Sequence, residues 1–244
     1  MIDHATVTVS TEAIEKLRHV SVATLATILF KRGLRNQTIQ DVRPVRYIGR
    51  NMVGPAFTLR YMPAREDRNT VAEFRNPKHP QRFAIETCPT GHVLVMDSRK
   101  DARAASAGDI LVNRLAARGV EGIVTDGGFR DALTIGQIDM PAYHQRPSSP
   151  TNLTLNEAID MNVPIGCGDA PVFPGDILVG DADSVIVLPA HLAEEIAEEA
   201  AEMTVYEDFV LEKVKAGETI IGLYPATDDR HEADFAAWRK ANNR

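Results

Sequence analysis

Cysteine is nearly absent from this 244-residue sequence: Cys88 and Cys167 are the only two. A disulfide framework or a thiolate metal cluster needs more. Basic charge is also short. Lys and Arg total 27 against 34 Asp and Glu, a formal net charge of −7. That balance argues against a broad nucleic-acid or membrane-surface footprint. No apolar run approaches the ~20 residues of a membrane span. Met1–Ser10 is polar and lacks the apolar centre of a signal peptide, so the expected location is cytoplasmic. The seven lysines (16, 31, 78, 100, 213, 215 and 240) all lie away from glycine-flanked strand ends. None is therefore placed as the desolvated amine of an imine-forming lyase. Internal repeats, low-complexity tracts and a convincing linker are missing too.

What is present fits a globular chain, with 44% hydrophobic and 25% charged residues. The length suits one large domain or two small ones. Without a linker the reading is one domain, 1–244, with a core at about 10–226 and a C-terminal tail at 227–244. The pattern predicts a helix over Thr11–Gly33, with Thr11 as N-cap and Gly33 as stop. It predicts strands over Val45–Met62 and a polar, mildly helical stretch over Glu66–Thr87, broken at Pro77 and Pro80. A strand follows at His92–Asp97. Ala102–Arg118 reads as helix with a break near Gly108, Val120–Thr125 as strand, and Asp131–Gln137 as a short helix. Tyr143–Pro150 reads as a loop, Ile177–Leu188 as two strand pieces, and Pro189–Ala216 as one long helix ended by Gly217. Alternating strands and helices define an α/β class.

One constellation carries chemistry. Twenty residues separate Asp109, in Gly108-Asp109-Ile110-Leu111, from Arg130-Asp131, which close Asp126-Gly127-Gly128-Phe129-Arg130-Asp131. A helix, a glycine stop and a short buried strand fill the gap. Such a unit doubles back, bringing two carboxylates and a guanidinium to a helix N-terminus. Asp131 is a candidate ligand for Mg²⁺ or Mn²⁺, with Asp109 reaching it directly or through water. The N–H groups of Ile110 and Leu111 are candidate carboxylate binders. Arg130 can grip the same anion and offset a developing oxyanion. The plainer alternative on spacing alone is an Asp helix cap beside a surface Arg–Asp pair.

Other features read as structural. Gly166-Cys167-Gly168-Asp169 lacks the helix and spacing of a dinucleotide loop, and no His–Asn or His–Asp arrangement points to Cys167 as a nucleophile. His79, His92, His144 and His191 show no metal-ligand spacing. His144 neighbours Tyr143 and is more a packing residue than a pocket residue. Glu194-Glu195 and Glu198-Glu199 read as a solvated helix face.

The strings Gly-Asp-Ile-Leu and Gly-Ile-Val-Thr-Asp-Gly-Gly-Phe-Arg-Asp resemble the signature of the RraA-like family. That family includes the 4-hydroxy-4-methyl-2-oxoglutarate/4-carboxy-4-hydroxy-2-oxoadipate aldolases and the regulator of ribonuclease activity. Gly54–Thr58, Gly91–Asp97, Pro174–Asp183 and Gly217–Pro225 are similar as well, so the resemblance covers about residues 10–226. It implies a three-layer β/β/α swivelling-domain fold with a long C-terminal helix. It also implies a homotrimer or homohexamer with an active site between subunits. In the site that it implies, Asp131 holds Mg²⁺ (or Mn²⁺) and Asp109 lies in the metal's outer shell. Arg130 binds and stabilises a pyruvate-like enolate. Gly108, Ile110 and Leu111 bind the substrate, with the amides of Ile110 and Leu111 taking its carboxylate. A Glu from a neighbour's C-terminal helix completes the site; Glu207 is the best match, with Glu202 and Glu212 close by.

The implied activity is that of a metal-dependent lyase of 4-hydroxy-2-oxo acids, with oxaloacetate decarboxylation through the same enolate. Arg65–Arg82 and the tail from Ala226 exceed the shortest members. Together with Tyr206–Val210 and Gly222–Pro225 they resemble longer members among sugar-acid catabolic proteins. A sugar-derived 2-keto-3-deoxy acid, and its dehydration, is therefore an alternative. A non-catalytic regulator of an RNA-processing enzyme is a third reading. His92 and Ser184 depart from the usual acidic residue and Gly, both as tolerated turns.

Overall fold

The structure is a computed structural model that describes residues 7–244. The N-terminal expectation for Met1–Ser10 therefore falls mostly outside the described residues. The strands, in chain order, are β1 (Thr38–Ile39), β2 (Arg43–Pro44), β3 (Met52–Pro63), β4 (Val93–Asp97), β5 (Ala105–Ala107), β6 (Gly122–Thr125) and β7 (Gly128–Phe129). They continue as β8 (Ala142–His144), β9 (Arg146–Pro147), β10 (Asn156–Met161), β11 (Ile165–Cys167), β12 (Ala170–Val172), β13 (Ile177–Gly180) and β14 (Val185–Leu188). Among the described residues the main sheet runs β1-β14-β13-β3-β4-β6-β8-β2, with β10 added alongside β3. Its centre, β3-β4-β6-β8, is parallel, and the arms on either side are antiparallel.

Helices fill the parallel crossovers, as strands buried on both faces require. They are α3 (Pro80–Thr87), α4 (Asp109–Ala117) and the short α5 (Ala132–Ile135). Alternation along β4 shows the layering. Leu94 and Met96 join the cluster shared with α3 and α4, while Val93 and Val95 face an inner cluster with Tyr143, Cys167 and Val187. On β14, Val185 and Val187 face that inner cluster. Ile186 and Leu188 pack against α1 (Thr11–Leu17), α2 (Val22–Lys31) and the long α6 (Ala193–Lys215). The sheet is thus curled around the inner cluster and clad by helices. This is the layered α/β fold with a long C-terminal helix that the family resemblance implies.

Several expected elements are corrected. The helix expected over Thr11–Gly33 is two helices. Ser10, not Thr11, caps the first by accepting from the Ala13 amide at 3.1 Å, and Ser21 caps the second. Ser and Thr caps compete with helix continuation, and the periodic apolar pattern hid this one. Ala105–Ala107 is a strand, so the helix expected from Ala102 begins only at Asp109. The loop expected at Tyr143–Pro150 supplies β8 and β9. The strand pieces expected in Val45–Met62 are one strand from Met52, and the tail holds α7 (Asp229–Ala241), packed by Phe235 and Trp238 onto Phe209 of α6. The acidic face of α6 is exposed but paired, Glu195 and Glu199 with Arg32 and Glu198 with Lys16. No helix among the described residues is long and apolar enough to cross a membrane.

Asp126, fully buried just past β6, ties three loops together. It accepts from the amides of Ser98 at 2.6 Å, Lys100 at 3.0 Å and Gly168 at 3.1 Å. Burial raises its pKa to about 6, against the pull of those amides. Asp126→Ala leaves three sheltered amides without an acceptor. The expected loss of folding stability is about 3 kcal/mol or more, measured by denaturant unfolding.

Candidate active site

The site begins with a strand pairing. β5 and β7 pair in parallel, Ala107 opposite Phe129, and the Arg130 amide donates to the Ala107 carbonyl at 3.0 Å. The chain leaves β5 at Gly108 and enters α4 at Asp109, while the other strand leaves at Arg130-Asp131. The expected return of the unit on itself is therefore realised. Gly108 lies against the pair so closely that a Cβ there would sit 2.9 Å from Arg130 Cγ and 3.0 Å from Asp131 Oδ2.

Asp131 adopts left-handed backbone geometry, φ 57° and ψ 34°, and occupies the N-cap position of α5. Non-glycine residues there carry strain, and such strain concentrates at functional positions. Arg130 Nε lies 3.1 Å from Asp131 Oδ2, and both side chains are nearly half exposed. The Asp109 carboxylate accepts from the Ile110 amide at 2.8 Å, and the Leu111 amide is bonded to the Gly108 carbonyl at 3.1 Å. The two amides expected to hold a substrate carboxylate are thus engaged within the chain. Rotation of the Asp109 side chain frees the first.

A cavity of about 110 Å³ opens here. Gly108, Asp109, Ile110, Leu111 and Arg130 form one wall; Phe74, Gln81, Arg82, Thr151 and Asn152 face them. Spacing gave no sign of the second group, which comes from the Arg65–Arg82 stretch and a turn after β9. Below the cavity the Ser98, Ser106 and Thr125 hydroxyls bond one another at 2.6–3.0 Å. No lysine, histidine or cysteine lines it. Cys167 is buried, its thiol pKa raised far above the ordinary value by burial, and its sulfur is directed at the Met96 carbonyl. His144 is buried and stacks on Phe129 at 5.4 Å. Both are packing residues, as the sequence indicated.

Two carboxylates, Asp109 and Asp131, are the hard-oxygen donors at this place. No group of three or more His, Cys, Asp or Glu suited to a metal occurs among the described residues. Two carboxylates still fit Mg²⁺, which keeps several waters and takes substrate oxygens as further ligands. Glu207 is not at this site within one chain. Its carboxylate accepts from Thr24 at 2.8 Å and Tyr224 at 3.0 Å. Glu202 is paired with Arg239 and Glu212 with the Trp238 indole, so α7 engages both.

A curled α/β sheet with an Asp at a helix start beside an Arg–Asp pair defines the class, and comparison with known proteins agrees. Residues 12–187 match the RraA-like family, described as Aldolase/RraA, and the chain belongs to that family. A relative from Halalkalibacterium halodurans, named "Putative 4-hydroxy-4-methyl-2-oxoglutarate aldolase", is 30% identical over 168 residues, 69% of this chain and 73% of its own. One of the same name from Ectopseudomonas mendocina is 30% identical over 159 residues, 64% of this chain and 90% of its own. The crystal structure of Streptomyces coelicolor RraAS2, "an unusual member of the RNase ES inhibitor RraA protein family", superposes with a TM-score of 0.72. It is 29% identical and covers 82% of this chain and 96% of that one.

Two outcomes follow from the geometry. Gly108→Ala displaces the Arg130 and Asp131 side chains rather than backbone, so stability should change by less than about 1 kcal/mol while any binding of a small carboxylate at the start of α4 is lost; calorimetry of unfolding and of binding separates the two. Burial, then Arg43, lowers the His144 pKa to about 4. The unfolded chain takes up this proton near pH ~6.5, the folded chain only near 4. This residue therefore costs stability as pH falls through that window. The stability difference between wild type and His144→Gln should move with pH there and be flat above it.

Proposed function

We propose that the chain is a divalent-metal-dependent lyase of a 4-hydroxy-2-oxo acid, of the pyruvate-aldolase type. The observation that carries this reading is the Arg130–Asp131 pair lying against Gly108 at the start of α4, where Asp109 and Arg130 line a cavity without a lysine. Membership of the family and relatives named as aldolases support it. Asp131, with Asp109 nearby, would hold Mg²⁺ or Mn²⁺. When bound, the cation supplies Lewis-acid polarisation of the 2-oxo group.

The chain's own groups do the rest. The α4 N-terminus and the Ile110 amide orient the substrate carboxylate once Asp109 swings away, while the Leu111 amide stays on the Gly108 carbonyl. Arg130 donates to the oxygen on which charge builds as the C3–C4 bond breaks, and so stabilises the enolate. A water held by Asp109, or Glu207 of a neighbouring copy, takes the proton of the 4-hydroxyl. Oxaloacetate loses CO₂ through the same enolate. Dehydration of a sugar-derived acid begins with a related proton abstraction at C3 and is the nearest alternative chemistry.

Assembly as a trimer or hexamer belongs to the same reading. Ile110 and Leu133 flank the site and are 74% and 84% exposed, apolar surface open to a neighbouring copy. A purely regulatory role would leave the cavity, and the left-handed Asp131 next to Arg130, without a use.

The test is pyruvate release from oxaloacetate and from a panel of 4-hydroxy-2-oxo acids, with Mg²⁺ or Mn²⁺ and then with excess chelator. Arg130→Ala and Asp131→Ala should each lower kcat/KM by about 10²–10³, the usual cost of an oxyanion-stabilising group. Metal-independent turnover, or full activity in Asp131→Ala, would overturn the reading.

A further inference from the structure

The cavity has a second end that the lyase chemistry does not use, at the start of α3. Pro80 opens that helix and carries no N–H. The next two amides, of Gln81 and Arg82, precede the first helical bond, which runs from the Phe83 amide to the His79 carbonyl at 2.9 Å. Among the described residues no side chain caps them. Two adjacent N–H groups thus stand uncapped at the positive end of a helix, and both residues line the cavity.

The side chains around this end add further donors. The Arg82 guanidinium lies 4.4 Å over the Phe74 ring and makes no ion pair among the described residues. The same ring packs edge-on against His79, the N-cap residue of α3, at 5.2 Å, which holds the corner in place. Asn152, on the turn after β9, is 3% exposed. Its Oδ1 accepts from the Thr151 hydroxyl at 3.2 Å, and its Nδ2 is buried without a partner. Unmet buried polar groups cost stability and call for an explanation. Gln81 differs from these. It is 2% exposed and donates through Nε2 to the Ser106 carbonyl at 2.6 Å, so its unpartnered atom is the acceptor Oε1. That atom suits a hydroxyl rather than an anion.

We propose that this end of the cavity binds the terminal phosphate of a phosphorylated 4-hydroxy-2-oxo acid. The Arg82 guanidinium, the Gln81 and Arg82 backbone amides and the Asn152 side chain are its donors. The proposal rests on the lyase reading, in which Arg130 grips the 2-oxo end. The donors belong to a helix end, a side chain stacked on an aromatic ring and a turn from another part of the chain. A phosphate monoester meets such a set with three non-coplanar oxygens and about two negative charges near neutral pH. A carboxylate has two oxygens in one plane and a single charge, and leaves part of the set unmet. An alkyl tail leaves all of it unmet, which is unfavourable in a sheltered site. The phosphate takes no part in bond breaking. The C3–C4 bond cleaves as before, pyruvate leaves from the Arg130 end, and an aldehyde that keeps the phosphate leaves from the Arg82 end.

The experiment is calorimetric binding to the full chain in Mg²⁺ buffer. The probes are three six-carbon 2-oxo acids that differ only at the far end: 2-oxo-6-phosphohexanoate, 2-oxoadipate and 2-oxohexanoate. None has a 4-hydroxyl, so none is cleaved during the titration. Pyruvate and inorganic phosphate are the controls. Wild type should bind the phosphorylated acid on the order of ten-fold or more tightly than either of the other two, the scale of one charge-assisted contact. Arg82→Gln should bring its ratio to 2-oxohexanoate near one, and Arg82→Lys should restore part of that ratio. Asn152→Asp, which sets a like charge against the phosphate, should lower the same ratio. Inorganic phosphate should bind wild type more weakly than the phosphorylated acid and compete with it. A ratio unchanged in Arg82→Gln, or 2-oxoadipate binding as tightly as the phosphorylated acid, overturns the proposal. Inorganic phosphate binding as tightly as the phosphorylated acid also overturns it, and assigns the place to a free ion. Normal pyruvate binding without preference for the phosphorylated acid strikes only this subsite. Failure of pyruvate and of all three acids to bind removes the lyase reading with it.

Discussion

The parallel pairing of β5 with β7 is the constraint on which the site depends. Only a few residues take part, yet they set Gly108 against Arg130 and Asp131 and deliver the first turn of α4 to the same spot. Short strands hold poorly by themselves. Here the polar layer beneath secures them. The Ser98, Ser106 and Thr125 hydroxyls join the ends of β4, β5 and β6, and the Asp126 carboxylate gathers the loops around them. The apolar strands set the position of this layer, and the layer sets the position of the candidate site groups.

Much of this was legible in the sequence because it is local. The glycine after α4, the apolar run of β6 and the Asp-Gly-Gly turn together encode a chain that reverses, so Asp109, Arg130 and Asp131 could be placed from spacing. The long helix α6 and the two strands before it were legible for the same reason: apolar periodicity, a proline ahead and a glycine behind.

What could not be read was, apart from one helix cap, non-local. Ala105–Ala107 has no strand signature, and it is a strand because β7 and the Thr151 bridge border it. The split between α1 and α2 depends on Ser21 capping against the backbone, which competes with helix continuation and leaves the hydrophobic pattern intact. The facing wall of the cavity lies 27–35 residues before Asp109 and 20–21 residues beyond Asp131. Gln81, Arg82 and Asn152 have no spacing in common with Asp109, and only the folded chain brings them within reach. The engagement of Glu202 and Glu212 by α7 was hidden likewise, since nothing near either residue announces a helix that returns from the tail.

The left-handed backbone at Asp131 carries an evolutionary corollary. Asn visits that region about as readily as Asp, and Gly more readily still. This position can shed its charge in a single step while the turn keeps its shape, so the carboxylate and the architecture are separable under drift. A lineage built on this scaffold can change the charge at this turn without rebuilding its core. Fold likeness among such proteins is accordingly a poor guide to whether this turn still carries its carboxylate.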